Sequence, residues 1–320
     1  MGKMRLLLLM KPIECNPFGQ SKIFQNSKII QFLENRQKVH QNAVRFCQDV
    51  LRKKNVDWRA IPRSDLMKPI HNFDLVVTVG GDGTLLQASH FVDDSVPVLG
   101  VNSDPTQIDQ LEEFESDFDA TRSTGYLCAA TVSNFEQMID SIITGEITAS
   151  RLARISIRVN SEALPSYALN DVLIADPCPA KVSKFSFKIQ HHDGSYSSLA
   201  HFRCSGVRIC TAAGSTAAMH SAGGFAMPIL SQDLQYMVRE PITLRNSGSP
   251  PKHDVIGKDQ AIEILWFTRQ GSIFLDGAHV QYNVNDGDAV HVSSNAPCLQ
   301  VFLPNKVHSE GSGQRVSASS

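Results

Sequence analysis

Apolar and polar positions follow two different textures along the chain. Leu6-Leu7-Leu8-Leu9-Met10 is an unbroken apolar run, and Met4 to Met10 is predicted to be a buried strand. From Ile29 to Lys54, Phe32, Val39, Ala43, Phe46, Val50 and Leu51 recur at helical spacing and predict an amphipathic helix. The β-branched run from Phe73 to Val79 predicts a strand that stops at Gly80. Thr84 to Phe91 reads as a short helix, and Val96 to Val101 as the next strand. Continuous apolar strands separated by helices imply a parallel sheet covered on both sides, a doubly wound α/β domain over residues 1–125.

The texture then changes. Phe135 to Ile143 places Met138, Ile139, Ile142 and Ile143 on one side of a helix. From Arg151 onward short alternating segments dominate, beginning with Ile155-Ser156-Ile157-Arg158-Val159. Further strand-like stretches are 168–175, 183–190, 205–210, 261–267, 271–275 and 289–292. His191-His192-Asp193-Gly194 and Asn285-Asp286-Gly287-Asp288 are turn material between them,. Residues 126–297 are therefore expected to form an antiparallel β domain, so the fold class is α/β plus all-β. Asn246 to Asp254 reads as a Pro/Gly/Ser loop and 306–320 as a disordered tail, and no tandem repeat is present.

Composition sharpens this picture modestly. A chain of 320 residues with 42% hydrophobic and 19% charged residues is ordinary globular material with room for two cores,. The formal net charge of -2 gives no general attraction to nucleic acid or anionic membrane,. The apolar N-terminal run is stopped by Lys11-Pro12, too short for a membrane span or a signal core. The last residues are not a peroxisomal S-K-L-type ending,. A cytoplasmic protein is the default expectation. The seven cysteines are widely spaced with no C-x-x-C, which predicts free thiols and neither a zinc site nor a disulfide frame.

Three stretches carry candidate chemistry. In Gly80-Gly81-Asp82-Gly83-Thr84 the glycines allow close backbone approach, and the following helix start adds positive dipole character,. Both suit a polyphosphate at the carboxyl end of a parallel strand. Asp82 could then hold Mg²⁺ or accept the proton of an attacking hydroxyl. The competing role is a turn in which Asp82 caps the helix. The second stretch, Thr211 to Gly224, has almost no bulk, and Gly214, Ser215, Thr216 and Ser221 could lie against a flat ligand. Tight helix–sheet packing would favour the same small residues. In the third, Asn170-Asp171 interrupts an apolar strand and could hold a ribose diol, or could mark a bulge or strand start,.

Taken in this order, the stretches resemble the NAD kinase family over about Met4 to Leu303. Gly80-Gly81-Asp82-Gly83-Thr84-Leu85 matches its G-G-D-G-T-x-L, Ala168-Leu169-Asn170-Asp171 its A-L-N-[ED], and Arg203 to Gly224 its glycine- and serine-rich block. Phe274-Leu275-Asp276-Gly277 matches its late D-G turn. The resemblance implies an α/β domain closed by residues about 298–305, a β domain, and an active site between them. It implies transfer of the ATP γ-phosphate, with Mg²⁺, to the adenosine-ribose 2′-hydroxyl of NADH or NAD⁺. Asp82 would be the base, with Gly80, Gly81, Gly83 and Thr84 on phosphate. Asn170, Asp171, Arg203, Gly214, Ser215, Thr216, Ala217 and Ser221 would bind the dinucleotide. A homodimer is implied as well.

Departures from the family pattern cluster at the acceptor. Ser205 stands in place of its Asp, Ala212-Ala213 in place of Pro-Thr, and Ala218 in place of Tyr. Ser103-Asp104-Pro105-Thr106 follows Gly100-Val101-Asn102 in place of G-x-L-G-F-L. A carboxylate lost beside the nicotinamide weakens selection for cationic NAD⁺. This look resembles the plant NADH kinase branch and implies NADH as the preferred acceptor. Two other readings use the same residues: a diacylglycerol or sphingoid kinase sharing the glycine loop, and a non-catalytic NAD(H) sensor. No apolar membrane-facing stretch supports the first, and an intact Asp82 disfavours the second.

Overall fold

The computed structural model describes residues 2–12, 27–106, 121–242 and 251–304. The expected tail 306–320, Cys15 and residues 246–250 of the expected loop lie outside the described residues. The chain forms two compact units. Among the described residues the first comprises those up to 150 with 300–304, and the second 151–299.

The first unit alternates strand and helix. Its elements are β1 (Met4–Met10), α1 (Ser27–Lys53), β2 (Val56–Pro62), β3 (Leu75–Gly80), α2 (Asp82–Ser89), β4 (Val98–Asn102), β5 (Ala130–Thr131), α3 (Phe135–Thr144) and β6 (Ser150–Leu152). Late in the chain β19 (Leu299–Phe302) pairs in parallel with β4, Val301 opposite Val98. The sheet has the order β2-β1-β3-β4-β19-β6, with β5 beside β4. β1 pairs in parallel with both β2 and β3, and β3 with β4. β3 and β4 are buried at every residue, as their unbroken apolar runs require. Strand β2 is an addition to the sequence reading; Val56-Asp57-Trp58-Arg59 alternates apolar and polar residues, but over only about four positions. The unit extends past residue 125, where the domain boundary was expected, because Phe135, Ile139 and Ile142 of α3 join the core of Leu75, Val77 and Leu99. On α1 the buried stripe includes Ala43, Cys47, Val50 and Leu51, and Phe46 is turned outward.

The second unit is antiparallel β. Its strands are β7 (Ser156–Val159), β8 (Glu162–Ala163), β9 (Asp171–Ala175), β10 (Ser183–Gln190), β11 (Ala200–Cys204) and β12 (Gly206–Cys210). After a 3-10 turn at Ala213–Thr216 and a one-turn helix α4 (Ala218–Ser221) come β13 (Leu234–Arg239), β14 (His253–Ile256), β15 (Ala261–Trp266), β16 (Gln270–Leu275), β17 (Val280–Asn285) and β18 (Ala289–Ser293). They form two six-stranded sheets, ordered β11-β10-β15-β18-β7-β8 and β14-β13-β12-β9-β16-β17. Residues of both sheets share one core, with Phe185, Phe187, Trp266, Ile174, Ile209 and Ile273 buried together. The Phe185 and Trp266 rings stack at 6.0 Å, an arrangement that adds to their large area burial. Among the described residues no helix is long and apolar enough to cross a membrane.

Candidate functional site

Within the first unit, β3 delivers Gly80 and Gly81 to the start of α2. A Cβ on Gly80 would lie 2.1 Å from Thr84 Oγ1, and one on Gly81 would lie 2.4 Å from Ser123 Oγ. Both positions therefore require glycine for close approach. Asp82 is the first helical residue, and no side chain caps Gly81. The helix-capping role considered from sequence is absent. The Asp82 carboxylate instead accepts the Tyr126 N–H at one oxygen and the Leu127 N–H at the other, both at 2.9 Å. The Cys128 thiol adds a longer contact at 3.6 Å. Burial, with Asp82's charge adding to it, pushes that thiol well above its ordinary range. Two backbone donors fix the rotation of the carboxylate, and Oδ2, which accepts only the Tyr126 N–H, keeps a second lone pair for another partner,. Thr84 Oγ1 is buried without a hydrogen-bond partner among the described residues.

This loop floors a cleft of about 610 Å³ lined by Gly80, Gly81, Asp82, Gly83 and Thr84, with Lys11, Arg36, His40, Arg63, Asp104 and Arg122 around it. Asp104 receives Arg36 Nε at 2.8 Å and Arg122 through a second ion pair. His40 is buried, and its ring nitrogens meet Lys11 O at 3.0 Å and Ser103 Oγ at 2.8 Å. Donation to the Lys11 carbonyl places the proton on Nε2, so Nδ1 accepts from the Ser103 hydroxyl. Desolvation holds the imidazole below its usual range. The Ser103 N–H in turn donates to Gly80 O at 2.8 Å, so His40 braces the glycine loop from behind. A glycine loop, a helix start and surplus cations make this cleft suited to a polyphosphate anion. Among the described residues no three His, Cys, Asp or Glu side chains cluster to hold a metal. A Mg²⁺ ion bound in this cleft would have the Asp82 carboxylate as its adjacent protein oxygen, with its other positions filled by anionic ligand oxygens and water.

A second cluster forms in the β unit. Asp276 has a positive φ of 51° and turns its carboxylate onto three consecutive backbone N–H groups. Leu169 donates at 2.8 Å, Asn170 at 2.7 Å and Asp171 at 3.0 Å. The Asp276 N–H donates back to Asp171 O at 2.9 Å. Burial pushes the Asp276 carboxyl up to about 7, against the lowering effect of those three bonds. Asp171 is paired with Arg208 of β12, and burial raises its carboxyl although the guanidinium opposes this. Asn170 Oδ1 is buried without a partner among the described residues. A Cβ on Gly214 would lie 2.1 Å from Asn170 O, so the turn at Ala213–Thr216 sits directly on the Asn170 backbone. Ser215 is buried, bonded to Ala212 O at 2.7 Å and to the Met227 N–H at 2.9 Å. Thr216 is half-buried, and Ala217 and Ser221 are exposed.

The structure thus gathers Gly80 to Thr84 in one unit, and Asn170, Asp171, Gly214, Ser215, Thr216 and Ala217 in the other. Arg203 stands apart: it lies on β11, an edge strand of the other sheet, and its side chain is exposed. Sequence reading missed the carboxylate work of Asp276, the Arg208 partner of Asp171, and the cleft cations Lys11, Arg36, Arg63 and Arg122. Asp276 had a signal, a D-G pair ending an apolar strand. The cations had none, because they come in from distant positions: Arg36 on α1, Lys11 and Arg63 just after β1 and β2, and Arg122 in the segment before β5.

A parallel α/β unit with a carboxylate-bearing glycine loop over a cationic cleft, joined to a two-sheet β unit, defines a class of phosphate-handling proteins. Comparison with known proteins narrows that class. The family model described as the ATP-NAD kinase N-terminal domain matches residues 15–108. The NADH kinase of Arabidopsis thaliana is 55% identical over 303 residues, covering 93% of this chain and 95% of that protein. The probable NADH kinase of rice, Oryza sativa subsp. japonica, is 49% identical over 287 residues, covering 90% and 88%. The crystal structure of an NAD kinase from Archaeoglobus fulgidus in complex with ATP is 19% identical, with a TM-score of 0.66 and 96% of both chains covered. That of yeast NADH kinase complexed with NADH is 15% identical, with a TM-score of 0.67 and coverage of 99% and 90%. These two share the fold. The chain belongs to the NAD kinase family.

Proposed function

We propose that this protein is an ATP-dependent kinase that phosphorylates the adenosine-ribose 2′-hydroxyl of NADH, and less efficiently of NAD⁺. The observation that carries the reading is the Asp82 carboxylate, fixed by the Tyr126 and Leu127 N–H groups beside a glycine loop in a cationic cleft. In this reading Gly80, Gly81, Gly83 and Thr84 hold the donor's phosphates, and the Thr84 hydroxyl, which has no hydrogen-bond partner among the described residues, is available to them. Asp82 takes the acceptor's hydroxyl proton while Mg²⁺ travels with ATP. Asn170 offers the dinucleotide an amide oxygen that has no partner among the described residues. Gly214, Ser215, Thr216, Ala217 and Ser221 provide a wall of low bulk. Asp171 acts through its ion pair with Arg208, and Arg203 reaches the ligand only at its periphery.

NADH preference is supported by Ser205 and Ala218, which remove a carboxylate and an aromatic ring expected from the family pattern. It is supported also by the likeness to proteins named NADH kinase. A cytoplasmic homodimer completes the reading. Edge strands β8, β11, β14 and β17 of the β unit leave pairing edges for a second copy,. The test is a side-by-side assay with ATP and Mg²⁺, scoring NADPH from NADH and NADP⁺ from NAD⁺. Higher kcat/KM for NADH is expected. Phosphate incorporation into diacylglycerol with none into either dinucleotide would replace this reading by a lipid kinase.

A further inference from the structure

We infer that Lys11 and Arg63 form a cationic clamp for the terminal phosphates of the donor nucleoside triphosphate. This deepens the kinase reading and rests on it. The cleft is lined by four permanent cations, Lys11, Arg36, Arg63 and Arg122. Arg36 and Arg122 both point at Asp104 and are largely occupied by it. His40 is held neutral by its burial. Lys11 and Arg63 differ, since neither forms a salt bridge among the described residues. They are the cations left to face an anion.

Both are anchored to the elements that carry the glycine loop. The Lys11 N–H donates to Val79 O at 2.9 Å, one residue before Gly80. A Cβ on Gly80 would lie 3.3 Å from the Lys11 Cβ. Arg63 opens the 3-10 turn after β2, and its carbonyl accepts from Gln87 Nε2 of α2 at 3.2 Å. Its Nη1 lies 4.0 Å from the point a Cβ on Gly83 would occupy. One cation therefore stands at each end of the loop. Their shared field reaches the cleft floor, where both charges add to burial in depressing the His40 imidazole.

The chemistry needs charge at this place. As the acceptor's ribose oxygen bonds to the γ-phosphorus, the bond from that phosphorus to the β,γ-bridging oxygen breaks. The electron pair leaves with ADP, and the ribose hydroxyl proton passes to Asp82. Negative charge grows on the bridging and equatorial oxygens during this step. A lysine gives a compact point charge and an arginine a two-pronged donor, so the pair can neutralise both kinds of oxygen. Preorganised charges of this kind contribute more to the transition state than to ground-state binding.

The test uses the full chain and its Lys11→Met, Arg63→Met and double variants, with exposed Lys181→Met as the charge control. Each single variant should lose roughly 10²–10³-fold in kcat/KM for ATP, with KM for NADH little changed. Calorimetric titration with inorganic tripolyphosphate, a readout free of turnover, should show the double variant binding at least about tenfold more weakly than wild type. Arg63→Lys should recover less activity than a simple charge effect predicts. If wild type makes no NADPH yet the tripolyphosphate difference persists, the kinase reading fails and the clamp stands. The clamp is overturned if folded variants keep wild-type ATP kinetics and tripolyphosphate affinity. It is overturned also if Lys181→Met weakens binding as much as they do.

Discussion

The Asp276 carboxylate accepts the backbone N–H of Asn170 at 2.7 Å, across 106 residues of sequence. The same side chain holds the Leu169 and Asp171 amides, so the peptide carrying the Asn-Asp pair is shaped by a residue from β16's end. Asp276→Ala strands three backbone donors, and each buried unsatisfied donor costs about 1–3 kcal/mol. A lower urea midpoint is expected. Asp276→Asn keeps one acceptor oxygen and should fold better, yet raise KM for NADH while leaving KM for ATP near wild type. Equal changes in both KM values would make Asp276 a purely structural residue.

Asp276 also gives stability a pH dependence. Its carboxyl is raised to about 7 from an ordinary 3.8, chiefly by burial. The folded state then binds the proton more tightly than the unfolded state. The resulting stabilisation is full below about pH 4 and is lost as pH rises through about 7. Urea midpoints measured from pH 5 to pH 8 should fall more for wild type than for Asp276→Asn. Parallel slopes for the two proteins would assign the effect to other groups.

Asp171 and Arg208 form an ion pair with side chains only 14% and 16% exposed. Removing one partner of such a pair leaves a charge without compensation. Arg208→Met should therefore destabilise by about 3–5 kcal/mol. The double variant Asp171→Asn/Arg208→Met should recover much of that loss, because no buried charge remains. Thermal or urea unfolding of the four proteins in the cycle measures the coupling.

Asp82→Asn should leave the fold and ATP binding largely intact, since an amide oxygen can still accept one of the Tyr126 and Leu127 N–H groups. Turnover should drop by at least ~10²-fold, the scale of lost general-base catalysis. Near-normal turnover, measured at saturating ATP and NADH, would remove Asp82 from the base role.

Thiol reactivity follows from burial. Burial pushes the Cys47 and Cys210 thiols up to about 12 and Cys204 up to about 11. Cys178 and Cys298 are half-buried. Only the thiolate is an effective nucleophile. Under native conditions and neutral pH, Cys178 and Cys298 should be alkylated first among the described cysteines. Rapid labelling of Cys204 or Cys210, read by peptide mass mapping, would contradict this packing.

Much of the architecture was written in periodicity. Unbroken apolar runs marked β1, β3 and β4 because a parallel strand covered on both faces has no polar side. Alternation marked β7 and β15 because one face of each looks into a core. Strands β2, β14 and β17 lie at sheet edges and are short or only partly buried, so their patterns stood out less than the long buried runs. The low-bulk stretch after Cys210 folds into a 3-10 turn and a single α turn, which seats Gly214 against the Asn170 backbone.

By itself the sequence determined the two kinds of unit and the glycine loop with its carboxylate. It determined the Asn170-Asp171 break too, because those features depend on neighbours within a few residues. Tertiary structure decided what each carboxylate touches. Asp82 meets the amides of Tyr126 and Leu127, Asp171 meets Arg208, Asp104 gathers two arginines, and Asp276 holds the Asn170 peptide. It also left Lys11 and Arg63 facing the glycine loop without a carboxylate partner among the described residues. These partnerships join positions up to 107 residues apart. Local pattern carries no information about such pairs, and only the packing of the sheets fixes which charges are paired and which remain for a ligand.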